Sequence, residues 1–355
     1  MADQRSTSSR GASNPPTAGA PDDGRRSLLV GAGAGIALAG LGLSGRARAQ
    51  ASADAWPNKP VRVICNFAAG GLTDSYARQY SEALSRKFDQ NFIVDNRPGA
   101  GGILGAEMAA KSSPDGYTLL VTTSTPVWSA RGLYRKLPYD AAKDLVPVTM
   151  FPSGALIFAA HKDLPVSNAA ELAEYAKTHP ITLGTYGQGS WPHLVAENWI
   201  KERKIPLTVV HYKGESPMWI DIASGQVQVG IGSYLQFVSH YQKGQVKPLA
   251  AATGSVRSPK LPDVPTMVEQ GFTDPLYKLD GYLPMVAPAG TPDAVLRKIA
   301  DAIQEVSATP KLAALRQTFA IDQLPPDYET TQKLYGEYGQ LWGSLAGALG
   351  IKLDA

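Results

Sequence analysis

The sequence predicts an α/β protein of two lobes, with mostly parallel sheet and a ligand cleft between the lobes. Three observations carry that prediction. Apolar runs of strand length alternate with segments of helical period along the chain from residue 61 onward. Three glycine-rich loops each join a strand to a helix. An N-terminal leader of 49 residues leaves 306, more than one such layered unit usually needs.

The elements follow in order. Residues 61–67 form an apolar run of strand length. In 75–88, Tyr76, Tyr80, Leu84 and Phe88 lie four apart, on one helical face. Residues 91–95 read as a short strand, 102–110 as a helix and 117–123 as a strand ended by polar residues. Strand 156–160 precedes a helix at 168–177. Strands 181–185 and 207–211 flank a helix at 193–201, and 226–231 and 246–253 are further strands. Thr291-Pro292-Asp293 opens a helix, with Thr as N-cap, Pro in the first turn and Asp at the positive end of the dipole. Val295, Leu296, Ile299, Ile303 and Val306 mark its buried face. Crossings between lobes fall near 147–152 and 251–254. They give a discontinuous first lobe of 50–150 plus 252–355 and an inserted second lobe of 151–251. No internal repeat is visible.

Composition narrows the function. The chain of 355 residues is 44% apolar and 18% charged, which fits a globular protein and excludes a disordered or disulfide-rich one. Its formal charge of +3 lies entirely in the first 49 residues, where Arg5, Arg10, Arg25, Arg26, Arg46 and Arg48 face Asp3, Asp22 and Asp23. The remainder carries 28 basic and 28 acidic residues, so nucleic acid is not an expected partner. Arg25-Arg26, an apolar run over 28–43 and Arg46-Ala47-Arg48-Ala49 make a three-part signal peptide, with cleavage expected after Ala49. The paired arginines resemble a twin-arginine export signal. A run of 16 residues is too short for a comfortable membrane span. Cys65, the single cysteine, sits in a strand pattern, so a buried thiol is expected and no intrachain disulfide is possible.

The chemistry is carried by loops. Phe67-Ala68-Ala69-Gly70-Gly71-Leu72-Thr73-Asp74 joins a strand to a helix. Its glycines let a ligand approach the backbone, and the free N–H groups at the helix start favour an anion. No Lys follows them, so a carboxylate suits the loop better than a nucleotide phosphate. A plain turn with a capping Asp fits the same residues equally well. The second loop, Asp95-Asn96-Arg97-Pro98-Gly99-Ala100-Gly101-Gly102-Ile103-Leu104-Gly105, lacks dinucleotide spacing and reads as a tight turn for close helix–strand packing. The third is Thr185-Tyr186-Gly187-Gln188-Gly189-Ser190-Trp191-Pro192-His193. A hydrolase would pair Ser190 with His193, but no G-x-S-x-G elbow surrounds the serine, so a helix cap and a structural histidine are preferred. The five histidines are scattered, and no metal or cofactor site is expected. Trp128, Trp191 and Tyr282 lie near these loops and could shape a pocket.

Taken together, the loops resemble those of the substrate-binding receptors of tripartite tricarboxylate transporters, the Bug family. The matching stretches run nearly the whole chain after the leader. They include Trp56-Pro57-Asn58-Lys59-Pro60, the first two loops, Pro114-Asp115-Gly116-Tyr117-Thr118, Tyr212-Lys213-Gly214, Leu261-Pro262-Asp263-Val264-Pro265 and Ala287-Pro288-Ala289-Gly290-Thr291-Pro292. The resemblance implies a two-lobed periplasmic-binding-protein fold of the Venus-flytrap, type II kind. It implies a periplasmic receptor that captures a small carboxylate, aromatic or a dicarboxylate, hands it to membrane transporter subunits, is monomeric and catalyses nothing. By position it implicates Ala69, Gly70, Gly71 and Asp74, then Ser124 and Trp128, and on the facing lobe Thr185, Gly189, Ser190 and His193. The chain departs from the family pattern at Asn66 and Ala68, where proline is usual, and at Tyr186 and Trp191, which add bulk. An exported serine hydrolase and a ligand sensor for a membrane kinase are the alternatives.

Overall fold

The computed structural model of the chain describes residues 55–354. The expected leader and its cleavage after Ala49 lie outside them. The described residues build two five-stranded sheets covered by helices, the two-lobed α/β architecture of a periplasmic binding protein.

The first sheet begins with β1 (Val61–Cys65), α1 (Leu72–Phe88), β2 (Phe92–Asn96), α2 (Ile103–Ala110) and β3 (Thr118–Val121). In β1 alternate residues face opposite ways. Val61, Val63 and Cys65 join the cluster with Tyr76, Tyr80 and Leu84 of α1, while Ile64 joins the cluster on the other face. Burial pushes the Cys65 thiol up to about 12, so it packs as an inert apolar group. After a short helix α3 (Ala130–Leu133), β4 (Leu145–Pro152) forms one edge. The chain then enters the second sheet through β5 (Leu156–His161), α4 (Ala169–Tyr175), β6 (Thr182–Thr185), α5 (Trp191–Lys201), β7 (Thr208–His211), α6 (Glu215–Ala223), β8 (Val229–Ser233), α7 (Tyr234–Tyr241) and β9 (Val246–Ala251). It returns to the first sheet with β10 (Tyr282–Pro288), then runs through α8 (Asp293–Ser307), α9 (Pro310–Thr318) and α10 (Tyr328–Ala348).

The strand orders are β2-β1-β3-β10-β4 and β7-β6-β8-β5-β9. The two sheets thus share one topology, although no sequence repeat announces it. Mostly parallel sheet needs correction. β1 pairs in parallel with β2 and β3, and β6 with β7 and β8, but β10 runs against β3 and β4, and β5 against β8 and β9. One reversed interior strand per sheet makes half the pairings antiparallel. β4 and β10 escape a pattern reading because Pro147, Pro152, Pro284 and Pro288 interrupt them, and proline argues against a strand. Edge position frees one side of β4 from the sheet's hydrogen bonds, and a register shift between Met285 and Val286 marks the irregularity in β10.

The start of α8 also differs from expectation. Pro292 occupies the N-cap position, and the Thr291 hydroxyl donates to Pro288 O instead of capping the helix. Asp293 does sit in the first turn, where it accepts from Arg297 and from the Tyr328 hydroxyl.

Both lobes place their ligand-facing loops by the same rule. In open α/β sheets the strands on either side of a switch in connection direction leave a crevice at their carboxyl ends. Here that switch falls between β1 and β3 in one sheet and between β6 and β8 in the other.

Candidate ligand cleft

The loop after β1 is held open from behind. The Asp74 carboxylate accepts from the Gly70 amide at 3.0 Å, from Arg78 Nε at 2.9 Å and from Asn96 Nδ2 at 2.8 Å. Burial pushes this carboxyl up, but the bonds from Arg78, Gly70 and Asn96 outweigh it and hold it below the usual range. Asp74 therefore spends its oxygens on the loop. Gly71 is the N-cap of α1, with extended backbone and no side chain to cap the helix. The amides of the first turn are thus left to the space in front of them, which Gly71, Leu72 and Thr73 line.

That space is a hollow walled by both lobes. Ser124 and Trp128 follow β3 and line it, together with Tyr282. Trp342 reaches it from α10. The second lobe contributes Tyr186, Trp191, Gly214 and Glu215. Most of the wall is apolar. Among the described residues that line it, none is Lys, Arg or His; Glu215 and Asp280 are acidic. Glu215 is buried and accepts from the amide of Ser233 at 3.0 Å and from its hydroxyl. Burial pushes its carboxyl up to about 7, against the opposing pull of the two Ser233 bonds.

The lobes are closed on each other. Ala68 N–H donates to Lys213 O at 3.0 Å, and Gln236 Nε2 donates to Gly70 O. The Thr125 hydroxyl donates to Gly189 O at 3.0 Å, and the Tyr134 hydroxyl reaches both Ala100 O at 3.3 Å and Gln188 O at 3.5 Å. The second glycine loop is part of this seam as well as of the tight packing expected for it. A Cβ on Gly102 would fall 2.5 Å from Asn66 Nδ2, and one on Gly101 would fall 2.1 Å from Gln188 O across the seam.

Of the residues expected at the site, Gly71, Ser124 and Trp128 border the hollow. Ala69 and Gly70 are exposed, at the outer edge of the loop. Thr185 turns its hydroxyl to Gly187 O and to His211 Nδ1. Gly189 lies in the seam with Thr125. Ser190 stands at the N-cap of α5, but its hydroxyl caps nothing and has no partner among the described residues, which corrects the expected side-chain cap. His193 Nδ1 accepts from Gly189 N–H at 2.9 Å, and its Nε2 lies 3.5 Å from Glu197. Burial, then His211 and Lys201, push it down to about 3, so the ring is neutral and structural. The hydroxyl and the imidazole that a hydrolase would need are not joined. The aromatics Trp128, Trp191 and Tyr282 do meet at one hollow. Sequence reasoning missed Trp342, although Tyr335, Tyr338, Trp342 and Leu345 lie at helical spacing and mark the packed face of α10. Glu215 carried no signal, because a lone acid after a glycine usually reads as a first-turn charge.

Two lobes closed around an apolar hollow, with an uncapped helix start opening into it, are the architecture of a solute-binding receptor. The chain belongs to the tripartite tricarboxylate transporter receptor family, whose model matches residues 76–351. It is 31% identical over 308 residues to the protein BugT of Bordetella pertussis, covering 85% of this chain and 92% of that one. Its fold is similar to that of the R. palustris protein Rpa4515, solved with adipate. That match has a TM-score of 0.77 and 28% identity, covering 84% of this chain and all of the other. The periplasmic binding protein BugD superposes with a TM-score of 0.76 at 28% identity and the same coverage.

Proposed function

We propose that this chain is a periplasmic receptor that captures a small carboxylate between its lobes and delivers it to the membrane subunits of a tripartite transporter. The observation that carries the proposal is the uncapped start of α1, whose amides face a largely apolar hollow between the two lobes. A carboxylate supplies the acceptors those amides lack. Family membership and the adipate held by the R. palustris relative support the same ligand class.

In this reading the ligand meets Gly71, Thr73, Ser124 and Trp128 on one lobe and Tyr186, Trp191 and Glu215 on the other. Asp74, Thr185, Gly189 and His193 hold the loops and the seam, and Ala69 and Gly70 form the rim. The aromatic wall favours an aromatic or elongated carboxylate over a compact one such as citrate. The protein acts as a monomer after export and cleavage behind Ala49. We place the lobe crossings at 153–155 and 279–281. Two contacts support the second crossing. Tyr277 bonds Asn198 and Trp199 of α5, and Met267 N–H bonds Ala251 O, so the chain after β9 still packs on the second lobe.

Gly71→Leu tests the site. A Cβ there has no atom closer than 3.9 Å and φ is −78°, so the fold tolerates it while the longer side chain fills the hollow. Expected are an unchanged unfolding midpoint and lost binding of adipate and 3-phenylpropanoate by calorimetry. Retained affinity would move the ligand elsewhere. A thermal-shift series that responds to citrate alone would refute the aromatic or elongated class.

A further inference from the structure

We propose that the indole N–H groups of Trp128 and Trp342 form a subsite for an uncharged oxygen on the guest, which makes the hollow selective for monocarboxylates that also carry a ketone or an ether. This rests on the carboxylate-receptor reading above and names the class within it.

The two indoles stand out because their polar atoms lack partners. Both residues line the hollow, Trp128 2% and Trp342 4% exposed. Neither Nε1 has a hydrogen-bond partner among the described residues. Trp191, on the opposite lobe, gives the contrast. It also lines the hollow, but its Nε1 donates to Leu276 O at 3.0 Å. The two unpartnered indoles belong to one wall. Trp128 sits in the π-helical turn Thr125–Ser129 and packs on Tyr335 and Tyr338 of α10, with ring centroids 5.4 Å from each. Trp342 lies one helical turn beyond Tyr338 on the same helix. Gly339 offers the Trp128 indole no side chain to bond; a Cβ there would stand 3.9 Å from Nε1. A buried donor without an acceptor is unfavourable, and the great majority find one. An oxygen on a guest in the hollow supplies it.

The charge of the wall decides which oxygen fits. Among the described lining residues none is Lys, Arg or His, and the charged ones, Glu215 and Asp280, are acidic. A second carboxylate beside the indoles would leave water and find no cation. A ketone or ether oxygen accepts from an indole N–H at a far smaller desolvation cost. The guest's one carboxylate stays with the amides at the start of α1. The Thr123 hydroxyl, buried and also unpartnered, stands next to that loop because β3 pairs with β1, so it belongs to the carboxylate end.

Calorimetry on the intact receptor at neutral pH, with two matched sets, decides the matter. One set is 3-phenylpropanoate, 3-(4-methoxyphenyl)propanoate and 3-(4-carboxyphenyl)propanoate. The other is hexanoate, 5-oxohexanoate and adipate. In a set that binds, the ether or ketone member is expected to bind roughly tenfold or more tightly than either companion. A smaller preference, or tighter binding of the hydrocarbon or dicarboxylate member, overturns the inference and leaves the carboxylate receptor standing. Trp128→Phe and Trp342→Phe each keep an aromatic ring and drop one N–H, and either should cut the preference by roughly threefold or more. A preference that neither variant lowers also overturns the inference. If none of the six binds, both readings fall. Should the variants fail to fold, the ratios on the unaltered protein still decide.

Discussion

Replacing Gly101 by alanine should wedge the lobes apart. Gly101 has φ +63° and ψ 21° in the second glycine loop. A Cβ there would lie 2.1 Å from Gln188 O of the facing lobe and 3.0 Å from the Tyr134 hydroxyl. Carbon and carbonyl oxygen in comfortable contact need roughly 3.3 Å, so the seam must part by roughly 1 Å at this point. Alanine in the left-handed region costs roughly 1 kcal/mol, and open and closed forms bear it alike. Closure alone loses the Tyr134–Gln188 contact and strains the neighbouring Thr125–Gly189 bond. At about 1 kcal/mol each, these weaken the closed form by about 2 kcal/mol, roughly 30-fold in affinity. Urea unfolding should therefore show a loss of about 1 kcal/mol, and calorimetry with adipate or 3-phenylpropanoate, whichever binds more tightly, should show the roughly 30-fold drop. An affinity within about threefold of the unaltered protein would refute the idea that this contact belongs to the ligand-bound, closed form.

Other outcomes follow from buried acids. Asp74→Ala removes three hydrogen-bond acceptor contacts and should cost about 3 kcal/mol at pH 7 in urea titrations, with weakened binding because the loop loosens. Since the folded carboxyl of Asp74 sits below its ordinary value, its contribution is present above about pH 4 and fades as pH falls through the folded value. The difference between Asp74→Ala and the unaltered protein should therefore shrink toward pH 2; a constant gap would contradict it. Glu215 has the opposite sign. Its carboxyl rises from 4.5 to about 7 on folding, so the folded state holds a proton that the unfolded state releases. Stability should fall by on the order of 3 kcal/mol as pH rises from 4.5 to 7 and then level off. Glu215→Gln should lack that fall, and parallel pH curves for the two proteins would rule it out.

Much of the architecture is legible in the residues because its signals are local. Tyr76, Tyr80, Leu84 and Phe88 mark α1, and Val295, Leu296, Ile299, Ile303 and Val306 mark the buried face of α8. The elements that escaped are those in which tertiary pairing overrides local preference. β10 keeps its place despite Pro284 and Pro288 because β3 and β4 flank it. The site divides in the same way. Gly71 lies in a loop whose glycines advertise ligand approach, whereas Ser124 and Trp128, just after β3, are pointed to as site residues by the family resemblance alone. The roles of Asp74 and His193 turn on where their side chains point, and a motif does not record that. Glu215 and Trp342 reach the hollow from α6 and α10, more than a hundred residues apart, and only the folded chain brings them to one wall.

The aromatic wall has one more consequence. The chain has six tryptophans, and Trp128, Trp191 and Trp342 all border the hollow. Half of the protein's indole fluorophores therefore sit where a guest arrives and where water leaves. Capture of a ligand should shift or quench the intrinsic emission without any attached dye, and an unmoved spectrum at saturation would put the guest elsewhere. The receptor carries its own optical gauge of occupancy.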